Sequence, residues 1–194
     1  EMIKEFTLDR VNKSPASFDP KKLVAFQGNT FAGLPLETRI QRTRPFAKSA
    51  GFLEDTQDEH RLAKVVEGAD DRLKMAGDIL DFDYFFVDEI DFNEKAFNKR
   101  ICKPQNARTL LAELREHLTE TSFAEAGEIE LQITQFCENS GIELKEIIHA
   151  IRVAATGQAG GFGMFDTLAI LGKETVLKRI DSALKRAATI CTDS

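Results

Sequence analysis

The stretch Gly157-Gln158-Ala159-Gly160-Gly161-Phe162-Gly163 is the part of this chain that first invites a chemical reading, because glycines let backbone N–H groups approach an anion. A Walker loop closes with Gly-Lys-Ser/Thr and a dinucleotide fingerprint follows a strand; this stretch meets neither condition, which argues against a nucleotide site. Two readings stay open: a plain link between helices, or a link that meets RNA, with backbone groups and an exposed Phe162 approaching an unstacked base. A second candidate is Asp81 to Phe92, where Phe82, Tyr84, Phe85, Phe86 and Phe92 alternate with Asp81, Asp83, Asp88, Glu89 and Asp91. A calcium loop would place Gly sixth and Glu twelfth, and those positions hold Phe86 and Phe92. The segment therefore reads as a connection anchored by aromatic side chains, with its acids outside. Cys102, Cys137 and Cys191, and His60, His117 and His149, lack ligand spacing. We assign no metal and no catalytic residue, and expect the cysteines to be reduced thiols.

The elements that would position these residues must come from a chain of 194 residues, 42% apolar and 30% charged. That suffices for a real core, in one large or two small domains. A formal charge of −6 excludes nucleic-acid binding through general basicity, so an RNA site would have to be local. No apolar run approaches the roughly 20 residues of a membrane span, and no leader opens the chain, so a cytoplasmic location with no membrane contact is expected. With Glu1 first and Met2 second, the chain reads as a piece of a longer polypeptide.

Helical signals recur along nearly all of it. Asp19 and Pro20 form a start, followed by Leu23 and Phe26. Leu36, Ile40 and Ala47 punctuate a basic, solvated face of Arg39, Arg42, Arg44 and Lys48 that ends at Gly51. Thr56–Val66 and Asp70–Leu80 are predicted helical, weakened by Gly68 and Gly77. After Pro104, Leu110, Leu111, Leu114 and Leu118 share one side of a helix. Ser122 and Glu125 predict a capping box ahead of Ile129, Ile133 and Phe136, with a stop near Gly141. Glu143 to Thr156 follows, stopped by Gly157, and the last helix begins near Met164, pauses at Gly172 and resumes through Val176, Leu177, Ile180 and Leu184. No stretch alternates as a strand, so the fold class is all-α.

Three groups of residues resemble one family. Phe6-Thr-Leu-Asp-Arg-Val-Asn-Lys-Ser-Pro-Ala-Ser-Phe-Asp19, continued by Pro20-Lys-Lys-Leu23, is similar to the segment after the Lys-Met-Ser-Lys-Ser loop of bacterial glutamyl-tRNA synthetases. Asp83-Tyr84-Phe85-Phe86 resembles an aromatic landmark of that family's middle region. Ile151-Arg-Val-Ala-Ala-Thr-Gly157, Gly163-Met-Phe165 and Leu171-Gly-Lys-Glu174 resemble its closing motif in order and spacing. The sequence departs from the family at Ala25 and Gln27, where Trp and Asn are usual, and at Gly161 and Phe162, where Ser or Thr before Pro is usual.

The resemblance implies the C-terminal, tRNA-binding part of such an enzyme, an α-helical cage of two subdomains that recognises the anticodon. Residues 1–27 would be the tail of the stem-contact segment, 28–100 the first helical subdomain and 101–194 the second. The parent would be a class I synthetase and glutamate-tRNA ligase using ATP and Mg²⁺, which attaches glutamate to tRNA(Glu). The His-Ile-Gly-His and Lys-Met-Ser-Lys-Ser signatures are absent from this chain, so no cofactor and no activity are expected of it alone, as a monomer apart from its N-terminal catalytic domain. Arg72 matches, with one gap, an arginine that reads the last anticodon base; the remaining tRNA-binding residues would be Gly161, Phe162, Met164, Lys145, Arg152 and Lys173. Arg152 lies in an apolar run, which leaves open its burial against a carboxylate. The alternative, suited by amphipathic helices and net acidity, is a helical protein-interaction module without RNA binding.

Overall fold

The computed structural model describes residues 19–69 and 72–191, and among these it contains helices, turns and loops but no strand. Of the segment resembling the stem-contact tail, residues 1–18 lie outside the described residues. Helix α1, Pro20–Ala32, starts as its sequence predicts: the Asp19 carboxylate accepts from the backbone N–H of Lys21 at 2.9 Å, and Pro20 opens the first turn. Helices α2, Leu36–Ser49, and α3, Thr56–Ala69, pack on one another through Ile40, Thr43 and Ala47 on one side and Leu62, Val65 and Val66 on the other. Arg44, expected on a solvated basic face, instead pairs with Glu59 at 3.0 Å across this contact.

The next segment differs from expectation. Rather than an α-helix reaching Leu80, 3₁₀ turns run from Ala76 to Phe85, kinked at Phe82 (φ −112°, ψ 29°), and take in most of the aromatic landmark. Their opening is held by Asp78, whose carboxylate accepts from the N–H groups of Lys74 and Met75 at 2.8 and 2.9 Å. The tighter winding turns Ile79, Phe82, Tyr84 and Phe85 inward, while Asp81, Asp83, Asp88, Glu89 and Asp91 stay exposed, as the anchored-connection reading requires.

A short α4, Glu94–Phe97, and a π turn, Asn98–Cys102, lead to α5, Ala107–Thr119; α6, Ala126–Ser140; and α7, Leu144–Thr156. The Ser122–Glu125 capping box does not form. Glu125 is the N-cap residue and makes no side-chain cap, and the Ser122 hydroxyl accepts from Ala124 instead. Gly172, at φ +78°, separates α8, Met164–Leu171, from α9, Lys173–Ile190. Helix α9 lies along α5, α7 and α8, and α8 touches α3, so one continuous core joins the N-terminal and C-terminal helices.

Two cysteines are not free thiols. Cys102 and Cys191 form a disulfide with Cα atoms 5.1 Å apart, which the sequence separation of 89 residues had concealed; Cys137 is free and buried. No helix among the described residues is long and apolar enough to cross a membrane.

Candidate functional site

Helix α7 ends where Gly157 adopts φ +74°, a left-handed conformation that glycine enters without steric cost. A Cβ at this position would also collide with the Asp91 carbonyl oxygen, and the Asn93 N–H donates to the Gly157 carbonyl at 2.8 Å. The aromatic connection thus passes directly over the helix end. Beyond it the Thr156 hydroxyl donates to Arg152 O at 2.8 Å and accepts from the Gln158 N–H at 3.1 Å. Arg152 Nη1 donates to the Phe162 carbonyl at 2.7 Å, and the Thr167 hydroxyl donates to Gly163 O at 2.7 Å. Three side chains of the flanking helices therefore fix the link from 157 to 163.

Phe162 and Met164 are only 2% and 5% exposed, contrary to the reading in which Phe162 faces solvent to meet a base. The Phe162 ring stands edge-on to Phe82 and Phe85, with centroids 5.1 and 5.0 Å away. It also covers Gly68 of α3, where an added Cβ would lie 3.0 Å from the ring. The ring is therefore a core side chain and presents no free face to a base. Gly160, Gly161 and Gly163 remain exposed above it.

The Tyr84 hydroxyl sits beneath Gly161, 3.2 Å from where a Cβ would be, and takes a backbone hydrogen bond from Phe162. Burial pushes this phenol up to about 12, against the opposing pull of the nearby Arg152 guanidinium. Burial likewise lowers Arg152 from its ordinary range, and Arg72 adds like-charge repulsion. No carboxylate among the described residues is paired with Arg152, which holds a backbone carbonyl instead of the acid left open by the sequence. Arg72 is exposed and, close enough to influence both groups, makes no ion pair with a described carboxylate. The outcome is a shallow surface of exposed glycine backbone beside Arg72 and the half-buried Arg152. Such a surface offers N–H donors, carbonyl acceptors and planar guanidinium donors to a flat, polar partner.

Residues 38–184 match the model of a family described as the anticodon binding domain. The chain belongs to this family. The chain is 32% identical over 189 residues to a glutamate--tRNA ligase of Moorella thermoacetica, and 30% over 193 residues to glutamate--tRNA ligase 1 of Syntrophomonas wolfei. The matches cover 95% and 99% of this chain but 38% and 39% of those relatives, so it spans well under half their length. Among solved structures, the glutamate-tRNA synthetase of Elizabethkingia anophelis superposes with a TM-score of 0.78 at 25% identity, over 95% of this chain and 35% of that one. The glutamate tRNA ligase of Elizabethkingia meningosepticum superposes at 0.81 with 24% identity, covering 95% and 36%.

Of the residues expected to bind tRNA, the anticodon-binding domain gathers Arg72, Arg152 and Gly161 at the link, with Phe162 and Met164 beneath it. Lys145 and Lys173 stand apart. Lys145 pairs with Glu143 at 2.7 Å in the first turn of α7, about 10 Å of helix away from Arg152. Lys173 donates to the Thr119 carbonyl at 2.8 Å, closing the C-terminal end of α5, and lies beyond α8 from the link.

Sequence reasoning missed the residue that holds this site from below. Arg179 of α9 is 2% exposed and donates to the carbonyls of Ala155, Tyr84 and Val87 at 2.7, 2.7 and 2.6 Å. It ties the last turn of α7 to the aromatic connection, and burial pushes its pKa down to about 10, so it remains a cation at neutral pH. The available signal was its position: Arg179 interrupts the apolar row Val176, Ile180, Ala183 and Ala187.

Proposed function

We propose that this chain is the anticodon-reading part of a glutamate-tRNA ligase and that the link at 157–163 faces the anticodon loop of tRNA(Glu). The observation that carries the reading is the exposed backbone of Gly160 and Gly161 above Phe162, held by Arg152, with Arg72 close enough to act on Arg152. Single-stranded loops are read on the edges of unstacked bases, which a rigid set of backbone groups and guanidinium donors fits without a large basic patch. A net charge of −6 is compatible with that, since the positive charge needed is local. Because Arg152, Thr156 and Thr167 already hold the link, binding would cost little ordering entropy.

In this reading Arg72 reads the last anticodon base, Arg152 positions the link, and Lys145 and Lys173 offer phosphate contacts only if they leave their present partners. Residues 28–100 and 101–194 act as two subdomains of one monomeric unit. Glutamate activation with ATP and Mg²⁺, and transfer to the tRNA, belong to the rest of the parent chain.

The test is Arg72→Gln in the full-length parent. Its preference for glutamate tRNA over glutamine tRNA should narrow by about 1 to 3 kcal/mol, the scale of one bidentate base contact. Equal losses for the two tRNAs would assign Arg72 to a phosphate or to the fold, and a chain that binds no tRNA would favour the protein-interaction module.

A further inference from the structure

With Phe162 buried, Phe46 is an aromatic side chain left exposed against the 3₁₀ helix. It is 43% exposed on α2 and rests against Gly77 of the 3₁₀ helix, where an added Cβ would lie 3.4 Å from the ring. Met75 and Leu80, on either side of Gly77 in sequence, are 44% and 43% exposed. Arg39, Arg42 and Phe46 recur at i, i+3 and i+7, which places them within about 60° of arc on one face of the helix. Neither arginine makes an ion pair with a described carboxylate, and Arg39 Nε is buried without a hydrogen-bond partner. Of the three carboxylates on the adjoining 3₁₀ helix, Asp78 is turned onto the backbone N–H groups of Lys74 and Met75, and Asp81 and Asp83 make no ion pair with a described arginine.

We infer that Phe46, flanked by Arg39 and Arg42, is a second RNA-binding site, at which an unpaired nucleotide stacks its base on the Phe46 ring and sets its phosphate against the arginines. The inference rests on the anticodon-loop reading above. Charge complementarity selects the occupant. Helix α2 carries Arg39, Arg42, Arg44 and Lys48 against Glu37 alone, in a chain whose net charge is −6; Glu59 answers Arg44, which leaves Arg39 and Arg42 as the cations that share the Phe46 face. An apolar peptide would leave two unpaired guanidinium groups beside it, whereas a nucleotide offers an apolar face and a negative charge together. The site is also continuous with the link. Residues 72–75 connect the exposed Arg72 and Lys74 to Met75, a run that cannot exceed about 11 Å fully extended, so one RNA loop can touch both.

The chain has no tryptophan, so Phe46→Trp makes a single reporter. Its indole emission should be quenched when tRNA binds. Phe46→Leu, which keeps an apolar side chain but removes the ring, should weaken binding by roughly 5- to 100-fold with the melting temperature nearly unchanged. Arg42→Gln, on the exposed side of α2, should reduce the slope of log K against log salt by about 0.7 to 0.9, one phosphate contact. If the wild-type chain binds tRNA while the indole emission of the Phe46→Trp variant and the Arg42→Gln slope stay unchanged, this site is overturned and the link reading survives. If the wild-type chain does not bind tRNA, the anticodon reading itself falls. Should Phe46→Leu melt early, the quenching and the salt slope decide alone.

Discussion

Phe162 carries the largest revision at the scale of single residues. Glycine-rich surroundings suggest an exposed ring, yet its edge-on contacts with Phe82 and Phe85 and its seat over Gly68 make it core. Phe162→Ala should therefore lower unfolding stability by about 3 to 5 kcal/mol, read from the urea midpoint. A shift under about 1 kcal/mol would restore the exposed reading. Tyr84, the sole tyrosine, gives an independent probe. Folding favours its protonated form, so its contribution to stability is complete below the unfolded value of 10 and is lost as pH rises through about 12. Arg179, lowered to about 10, acts in the opposite sense over that interval, which makes stability a poor readout. Phenolate absorbance at alkaline pH should instead appear near 12 in the folded chain and near 10 in urea; an onset near 10 in both would contradict the burial of the hydroxyl.

Two glycines separate a tertiary requirement from a local one at the scale of elements. Gly157 ends α7 at φ +74° with the Asp91 carbonyl where a Cβ would go, whereas Gly127, inside α6, has nothing within 4 Å. Gly157→Ala should cost about 2 to 3 kcal/mol through backbone strain, and Gly127→Ala, in the first turn of α6, should stabilise by about 0.4 to 1 kcal/mol by reducing the entropy of the unfolded chain. Thermal melts of the two variants moving the same way would refute this assignment. The periodic helices were legible because their apolar rows recur at helical spacing: Leu111, Leu114 and Leu118 of α5, or Ile147, Ile151 and Ala154 of α7. The 3₁₀ helix was not, because its inward side chains Ile79, Phe82, Tyr84 and Phe85 follow no α-helical row. Nor could the motif Ser122-x-x-Glu125 reveal that the helix would not begin until Ala126.

At the scale of the whole molecule, the Cys102–Cys191 disulfide fastens the end of α9 to the π turn before α5. With a sequence separation of 89 residues, the chain-entropy argument sets its contribution at about 4 to 5 kcal/mol at most. Dithiothreitol, or replacement of both cysteines by serine, should lower the urea midpoint correspondingly. Identical midpoints for reduced and untreated protein would show that the bond is not formed in solution. Arg179 works over a similar span, since its donors join α9 to carbonyls at Tyr84 and Val87 far away in sequence.

The all-α class, the helices bounded by Asp19, Gly141, Gly157 and Gly172, and the surface separation of acids from aromatic rings between Asp81 and Phe92 were determined by sequence alone. Each depends on periodicity or on a backbone conformation that neighbouring residues dictate. Only the tertiary structure decided that Phe162 faces inward, that Arg152 holds a carbonyl rather than a carboxylate, that Arg179 gathers three carbonyls and that Cys102 meets Cys191. These outcomes depend on which distant surfaces meet, and a local pattern of residue types carries no record of its partner across the core.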